Sequence, residues 1–477
     1  MEQRTEGSET KKPKKPVRSM SGVTPLTVVL KPRKCDHGTC IYCPGGDHVP
    51  QSYTDKSPAI MRALSLQFDP YEQVQNRLKV LKIMGHPTDK IEIIVLGGTF
   101  LQYDLDYQYN FIKRCFDSLN GRESKDLDVK GKASIAELKE ALEKAKKLNE
   151  TAEHRCIALC IENRPDNCSQ EEIERMLEFG CTRVEIGVQM PDDELYRLTN
   201  RGHKVEDVVT ATKNLKNAGF KLGYHVMPGL PYSNPEKDME MFKKIFEEER
   251  FRPDQLKIYP CQVVDDSPLG TTHKLIGFEP YDEEQTKEIL RKMMEIIPEY
   301  CRVMRIMREF PKDKLVRGLV RLDLRKDIEE KLRESGVKIK EIRMREVGFN
   351  RENLNTNLKL RIIEYEASRG KEFFLQIVNE DNILFGLLRL RFTEKEKGRG
   401  LAIVRELHVY GKAVEIGESG ERETQHRGMG RMLMERAEKI AKENNFKKIS
   451  VISGIGVREY YGKLGYDLEG TYMVKTF

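Results

Sequence analysis

Three cysteines near the N-terminus fall within nine residues of one another, and their side chains could bind a metal group. Cys35, Cys40 and Cys43 follow the spacing C-x4-C-x2-C in the segment KCDHGTCIYCPGG. Three thiolates on one short loop can bind three irons of a four-iron cluster and leave the fourth iron open to another ligand. A structural zinc ion is the alternative, and it would need a fourth ligand such as His37 or His48.

A glycine-rich turn near the other end of the chain could bind a phosphate group. The segment QHRGMG ends at Gly430 and precedes a helical pattern with Leu433, Met434, Ala437 and Ile440 on one face. Free backbone N–H groups and the positive end of the helix favour a pyrophosphate at such a turn. A plain tight turn is the ordinary alternative. We expect the phosphate-binding residues to be Gln425, His426, Arg427, Gly428, Met429 and Gly430.

Buried runs alternate with helical patterns over the first 300 residues, as in the helical pattern at 204–218. This alternation predicts a parallel sheet, most simply a full or partial (β/α) barrel. The chemistry of such barrels takes place at the carboxyl ends of the strands. The cysteine loop directly follows the strand-like run VTPLTVVL, so we expect it at that end. The other predicted strands are 91–99, 155–162, 182–189, 221–229 and 255–260.

Glycines and polar residues stand in or at the ends of these predicted strands. A single polar residue at a strand end is commonly a capping group, whereas a set on successive strands indicates a site. The members of this set are Gly97, Gly98, Thr99, Glu162, Glu185, Gln189, His225, Lys257 and Tyr259.

The pattern changes after about residue 300, which predicts more than one domain. We predict a basic disordered arm over 1–20, a barrel domain over 21–300, a basic linker over 301–355 and a mixed α/β domain over 356–477. The charged segment 121–150 is predicted to be a surface insertion. The seven cysteines outside the loop are predicted to be core or incidental residues.

Basic residues are concentrated in two stretches of a chain whose net charge is +6. Residues 1–34 hold nine basic and three acidic residues, and residues 302–345 hold fifteen basic and eight acidic ones. Clustered cations favour a phosphate-backbone partner, with a solvated face or a disordered tail as the alternative. We find neither a run of roughly 18 apolar residues nor a secretory signal, so we expect a cytoplasmic protein with no membrane partner.

The cysteine loop resembles that of the radical S-adenosylmethionine superfamily, because Tyr42 precedes the last cysteine and PGG follows it. The spacing is wider than the superfamily's usual C-x3-C-x2-C, and the position after the first strand favours the cluster over zinc. The resemblance implies a [4Fe-4S] cluster on the three cysteines and S-adenosylmethionine as a second cofactor. It implies cofactor-binding roles for Gly97, Gly98, Glu162 and Gln189, and a catalytic role for Lys257.

The end of the chain resembles the GNAT acetyltransferases. RELHVYG precedes the glycine turn, and KKISVIS and GIGVREYYGKLGY follow the helix, which is the GNAT order of elements. The resemblance implies that acetyl-CoA binds at the glycine turn and along Glu406, Leu407, His408 and Val409. It also implies that a tyrosine, Tyr460 or Tyr461, protonates the departing CoA thiolate. Adjacent residues of a helix face different directions, so at most one of the two can do so.

Together, the two halves resemble the catalytic subunit of Elongator, a family of tRNA-modifying acetyltransferases. Further strings that carry the resemblance are KPVRSMSGV, VEIGVQ, HVMPGLP, LKIYP and VISGIGVREYY. The resemblance implies radical chemistry on the methyl group of acetyl-CoA, which adds a carboxymethyl group to carbon 5 of the wobble uridine of tRNA. The implied partners are tRNA, acetyl-CoA and either a second copy or other Elongator-type subunits.

Two features depart from this family pattern. Members often carry a cysteine-rich zinc segment between the domains, and the corresponding VKIKEIRMREVG has Ile339, Glu341 and Met344 but no cysteine, so we expect no structural zinc there. Members also usually have an N-terminal helical region, where this sequence has a short basic arm. Two other functions remain open: a protein lysine acetyltransferase with a structural iron–sulfur domain, and a tRNA-binding assembly subunit. The basic stretches favour RNA over a peptide.

Overall fold

The computed structural model describes residues 19–123, 133–308, 310–320, 324–350, 357–394, 400–411 and 428–477. Most of the predicted basic arm lies outside these ranges, as do Gln425, His426 and Arg427 of the glycine turn. No helix within the described ranges is long and apolar enough to cross a membrane.

Seven parallel strands form the first sheet, and they lie side by side in chain order. They are β1 (Thr24–Val29), β2 (Lys90–Leu96), β3 (Arg155–Asn163), β4 (Arg183–Gln189), β5 (Lys221–Val226), β6 (Gln255–Ile258) and β8 (Arg302–Ile306). The sheet curls but does not close, because β1 and β8 are its two edges. This half-barrel confirms the predicted partial barrel. Strand β8 lies in the segment predicted as a linker, so the sheet extends past the predicted boundary at residue 300.

Two short strands, β7 (Val263–Val264) and β9 (Leu315–Arg317), pair with each other in a separate antiparallel ladder. Twelve helices accompany these strands in the described ranges before residue 350. They are α1 (Pro58–Ser65), α2 (Pro70–Ile83), α3 (Leu105–Leu119), α4 (Ile135–Asn149), α5 (Gln170–Glu178), α6 (Asp193–Leu198), α7 (Val205–Asn217), α8 (Pro235–Glu247), α9 (Pro268–Thr272), α10 (Glu283–Ile296), α11 (Leu324–Glu334) and α12 (Ile342–Arg345).

Helix α2 begins where the sequence predicts it. The carboxylate of Asp69 accepts a hydrogen bond from the Glu72 N–H, and Pro70 occupies the first helical position. Helix α4 differs from the prediction of a surface insertion. Leu138 and Leu142 are buried on one face of α4, which packs against α3, and the charged residues occupy its other faces. The charged composition of this segment therefore belongs to an amphipathic helix that packs on the core with one face.

The second sheet belongs to the mixed α/β domain that the sequence predicts. Its strands are β10 (Lys359–Ala367), β11 (Gly370–Val378), β12 (Leu384–Phe392), β13 (Ala402–Val409), β14 (Lys448–Val451), β15 (Asp467–Glu469) and β16 (Tyr472–Thr476). All neighbours are antiparallel except β13 and β14, which pair in parallel through two residue pairs only. The remaining helices are α13 (Met429–Glu443) and α14 (Arg458–Lys463), and α13 buries Leu433, Met434, Ala437 and Ile440 as predicted.

The second domain packs against the N-terminal ends of the strands of the first sheet. Lys221, the first residue of β5, forms an ion pair of 2.8 Å with Glu406 of β13. Arg302, the first residue of β8, donates a hydrogen bond to the hydroxyl of Tyr410 at 3.2 Å. The cysteine loop follows the other end of β1, so the interface and the loop lie at opposite ends of the strands.

Six charged side chains fill the centre of this interface, and none is more than 2% exposed. Arg405 donates two hydrogen bonds to Asp254, at 2.7 and 2.8 Å, and two to Glu372, at 3.0 and 3.3 Å. Two-pronged guanidinium–carboxylate pairs of this kind are strong and directional. The members of this charge cluster are Lys216 and Asp254 of the first domain and Glu372, Arg389, Arg391 and Arg405 of the second.

Replacing Arg405 by methionine removes the cation that hydrogen-bonds both buried carboxylates, Asp254 and Glu372. We expect the free energy of unfolding to fall by about 3–5 kcal/mol, measured by urea denaturation. The control is Lys144→Met, which breaks an exposed pair with Glu140 and is expected to change stability by about 0–1 kcal/mol. Equal effects of the two substitutions would contradict this role for the charge cluster.

Candidate functional site

The three cysteines of the loop line one wall of a cavity of about 140 Å³ at the C-terminal ends of the first sheet's strands. Cys40 and Cys43 are buried and Cys35 is half-buried. Gly98, Thr99, Glu162, Glu185, Gln189, His225 and Tyr259 line the same cavity. The structure therefore brings together most of the strand-end residues that the sequence singled out.

The spacing of the cysteine side chains discriminates between the two predicted metal groups. Zinc–sulfur bonds of about 2.3 Å in a tetrahedral site place the ligand sulfurs about 3.8 Å apart. Among the described residues, the only three His, Cys, Asp or Glu side chains whose ligand atoms all lie within 4.8 Å are Glu162, Glu185 and His225. The cysteine loop, with or without His37, is more open than a zinc site requires, and His48 is exposed.

An arginine and a histidine lie next to the cysteine thiols. Arg201 donates a hydrogen bond to the sulfur of Cys40 at 3.5 Å, and the His37 ring lies 3.4 Å from the same atom. Burial alone raises the pKa of Cys40, but Arg201 and His37 outweigh burial and lower it to about 6. Burial and the neighbouring Cys43 raise the pKa of Cys35 to about 11. Cys40 is thus the thiol that is most readily available as a thiolate, the form that binds metals.

A charged group forms the floor of the cavity beneath the cysteines. The ammonium of Lys257 lies 3.1 Å from Glu162 and also contacts Glu185, and His225 lies 2.9 Å from Glu185. Burial alone lowers the pKa of Lys257, but the two carboxylates outweigh it and hold the pKa well above its usual value. The ammonium already neutralises the carboxylates that could otherwise attract a metal ion. Lys257 therefore holds Glu162 in place at the cavity wall.

The glycines after β2 allow the loops at the cavity to approach one another. Gly97 has φ +134°, and a Cβ there would lie 2.9 Å from the Cβ of Leu30. Gly98 has φ +90° and lines the cavity, with a Cβ position 3.3 Å from Gln51. Side chains at either position would be strained. The backbone at Gly98 is thus open to a ligand in the cavity.

The start of α13 forms a second candidate site, in the other domain. Gly428 is the N-cap of the helix with φ +74° and has no side chain that could accept from the first turn, whose N–H groups can bind an anion. The hydroxyl of Tyr460 lies only 2.7 Å from the Cβ position of Gly430. Tyr460 is 38% exposed, whereas Tyr461 is 6% exposed and packs against Tyr466. Of the two predicted tyrosines, Tyr460 is the one at the glycine turn.

Comparisons with known proteins agree with both halves of this arrangement. Residues 29–245 match the Radical SAM superfamily, and residues 253–334 match the Radical_SAM C-terminal domain. The tRNA uridine(34) acetyltransferase of Dehalococcoides mccartyi is 44% identical over 472 residues, which cover 97% of this chain and 99% of that protein. Elongator complex protein 3 of Homo sapiens is 38% identical over 481 residues, which cover 97% and 85%.

The solved structure of "the archaeal Methanocaldococcus infernus Elp3 with N-terminus deletion (1-46)" superimposes with a TM-score of 0.81 at 40% identity, over 96% of this chain and 100% of that one. This chain belongs to the family of tRNA uridine(34) acetyltransferases and Elongator complex protein 3. Radical SAM membership means that a [4Fe-4S] cluster and S-adenosylmethionine are its cofactors, and acetyl-CoA fits the acetyltransferase names.

Two residues predicted to lie along acetyl-CoA, Glu406 and His408, have side chains that bind other residues of this chain. Glu406 pairs with Lys221 and Arg389, each at 2.8 Å, and the His408 ring bonds the carbonyl of Ser21 at 2.9 Å. Both side chains therefore face the radical SAM half, because alternate residues of a strand share a face. Leu407 and Val409 lie on the opposite face of β13, and a Cβ at Gly430 would lie 3.8 Å from Val409.

The basic residues of the stretch 302–345 have two different roles. Arg305 and Arg308 line the radical SAM cavity. Arg302 instead pairs with Glu346 at 2.8 Å, and Arg345 donates a hydrogen bond to Gln376 at 2.8 Å. Glu341, in the segment where we expect no zinc, accepts hydrogen bonds from the backbone of α12 and from Val303. Outside the cavity, Arg302 and Arg345 of this stretch therefore contact the second domain, at Tyr410 and Gln376.

Sequence reasoning missed Arg201, which contacts Cys40, and Gln262, which also lines the cavity. Arg201 lies in a loop 161 residues after Cys40, and only the fold brings the two together. Gln262 follows β6 by four residues, past the predicted strand 255–260. A search for polar residues in the loops after each strand would have found Gln262 but not Arg201, which lies between α6 and α7.

The pH dependence of stability tests the position of Glu406. Burial alone raises the pKa of Glu406, but Lys221 and Arg389 outweigh it and lower the pKa to about 2. A lowered pKa in the folded state means that the stabilisation is present at neutral pH and is lost as the pH falls from about 4.5 towards 2. We expect Glu406→Gln to be less stable than the original chain at pH 7, and the difference to shrink in that range. A pH-independent difference in urea midpoints would contradict the pairing.

Proposed function

We propose that this chain adds a carboxymethyl group to carbon 5 of the wobble uridine of tRNA, with acetyl-CoA as the source of the two carbons. The observation that carries this proposal is that one chain joins a three-cysteine cavity and a glycine-turn helix through a buried interface. Relatives whose names specify uridine 34 of tRNA share nearly the whole chain. We place the reaction in the cytoplasm, with a second copy or Elongator-type subunits as further partners.

In the cavity, Cys35, Cys40 and Cys43 would hold the cluster, which supplies the electron that splits S-adenosylmethionine. The backbone at Gly97 and Gly98 and the side chains of Glu162 and Gln189 would bind the amino-acid end of that cofactor. Lys257 contacts both carboxylates of the floor, so it acts as a positioning residue that holds Glu162 and stays charged. Arg201 donates to Cys40 and so stabilises the thiolate form.

In the second domain, the N–H groups of the first turn of α13 would bind the pyrophosphate of acetyl-CoA. The glycine-turn residues Gln425, His426, Arg427, Gly428, Met429 and Gly430 remain the predicted phosphate loop. The backbone of Glu406, Leu407, His408 and Val409 would line the pantetheine arm, since their β14 neighbour pairs with β13 only at Ile403 and Val404. Tyr460 would protonate the CoA thiolate after water cleaves the thioester.

The cysteine loop can be tested by loading the full chain with iron and sulfide under reducing, anaerobic conditions. With S-adenosylmethionine, acetyl-CoA and tRNA, we expect 5-carboxymethyluridine in the digested RNA, detected by mass spectrometry. Cys40→Ala is expected to lose at least 100-fold of this product and to bind less iron, because one cluster ligand is gone. The control is Cys115→Ala, a buried cysteine of the core. Product from Cys40→Ala at the original rate, or lysine acetylation without tRNA, would contradict the proposal.

The two tyrosines give a second, independent test. Burial raises the pKa of Tyr460, so its hydroxyl keeps its proton at neutral pH and can act as an acid. We expect Tyr460→Phe to slow tRNA-stimulated release of CoA roughly 100-fold, within the usual range for a general acid, with little change in acetyl-CoA affinity. Tyr461→Phe removes a neighbouring hydroxyl that packs in the core and is the matched control. A larger loss from Tyr461→Phe would reverse the assignment.

A further inference from the structure

A glutamine that lines the cavity has an unused hydrogen-bond acceptor. Gln262 lies just beyond the C-terminal end of β6, lines the cavity and is 6% exposed. Its amide oxygen, Oε1, has no hydrogen-bond partner in the described part of the chain. A buried carbonyl oxygen without a partner is uncommon in folded proteins and, in a substrate cavity, indicates a missing donor.

The orientation of this amide is determined by its other atom. Nε2 of Gln262 donates a hydrogen bond of 2.9 Å to the carbonyl of Leu319. The preceding Gly318 has φ +131°, and a Cβ there would lie 3.2 Å from Cγ of Gln262, so a glycine is needed for this approach. Because a carbonyl can only accept, the nitrogen must face Leu319 and the oxygen is left as the acceptor.

The groups around Gln262 suit a flat ring that carries polar edges. Tyr259 and Phe310 also line the cavity, together with the cations Arg305 and Arg308. The Arg308 guanidinium lies 4.7 Å from the ring centre of Tyr53 and 5.3 Å from that of Phe310. Aromatic faces and guanidinium planes are the groups on which an unstacked base rests. Enzymes that modify a base within a folded nucleic acid take it out of its stack into such a pocket.

Uracil and cytosine differ at N3, the ring atom that a hydrogen-bond acceptor of the protein would contact. N3 of uracil carries a hydrogen and donates, whereas N3 of neutral cytosine has a lone pair and accepts. A fixed carbonyl oxygen therefore bonds to uracil N3–H and faces a second acceptor in cytosine, which leaves both groups buried and unpaired. Resting on the proposed function, we propose that Oε1 of Gln262 accepts the N3–H of the flipped wobble base and so selects uridine over cytidine.

The test uses the full, cluster-loaded chain and three anticodon stem-loop RNAs that differ only at position 34. The RNAs carry uridine, cytidine or N3-methyluridine, which lacks the N3 hydrogen. We expect the original chain to bind the uridine RNA roughly tenfold more tightly than either of the others, the usual effect of one hydrogen bond in competition with water. Gln262→Met keeps the side-chain length without the amide, and we expect it to bind all three RNAs within about twofold of one another.

Two further variants keep the result interpretable. Gln262→Glu replaces the Nε2 donor that bonds the Leu319 carbonyl by an oxygen, so the acceptor loses its fixed orientation and the preference for uridine is expected to fall below tenfold. Gln255→Met is the matched control, because Gln255 is also a buried glutamine with an unpartnered Oε1 but does not line the cavity. It is expected to retain the tenfold preference. Urea midpoints of the three variants establish that each is folded at the assay temperature.

The proposal would be overturned if folded Gln262→Met kept the full preference for uridine, or if the original chain bound N3-methyluridine RNA as tightly as uridine RNA. These outcomes differ from a failure of the proposed function. In that case the original chain would form no carboxymethyluridine on any tRNA, whatever its binding preference. Carboxymethyluridine formation together with equal binding of the three RNAs would reject the role of Gln262 alone.

Discussion

The interaction on which the rest of the structure depends is the buried charge cluster between the two domains. Asp254 and Glu372 are removed from water, and each would strongly destabilise the interface without a partner. Arg405 contacts both carboxylates, while Lys216, Arg389 and Arg391 complete their surroundings. The pairs of Arg405 and Arg389 with Asp254 and of Lys216 with Glu372 join the two domains, so these contacts favour one docked arrangement of the domains.

That arrangement gives strand β13 two roles. The side chains of Glu406 and His408 bind the half-barrel, at Lys221 and Ser21, while Val409 lies near the start of α13 and Tyr460. The cysteine cavity opens at the other ends of the half-barrel strands. The docked interface therefore fixes the distance between the candidate acetyl-CoA site and the candidate radical site, and a substrate used by both must span it.

Local sequence patterns predicted most of the candidate site, but they could not predict contacts between residues that are far apart in the chain. The cysteine loop, the glycine turn and the strand-end residues are short motifs whose chemistry depends on neighbouring positions, so sequence could identify them. The partners Arg201 and Gln262 depend on contacts across the fold: Arg201 reaches Cys40 from 161 residues away, and the Gln262 amide is oriented by Leu319. Strand alternation could not reveal which face of β13 would meet the other domain, so the contacts of the Glu406 and His408 side chains with the first domain were not predictable. Helix α4 was taken for an insertion because its charged residues outnumber the leucines that it buries.

The central claim is that acetyl-CoA is a radical substrate here and not a simple acetyl donor. The most direct measurement supplies the loaded enzyme with tRNA, S-adenosylmethionine and acetyl-CoA that carries three deuterium atoms on the acetyl methyl group. We expect a carboxymethyl group on uridine 34 with two deuterium atoms, because one methyl deuterium must leave before the methyl carbon bonds to carbon 5. A product that retains all three deuterium atoms, as in transfer of an intact acetyl group, would contradict it.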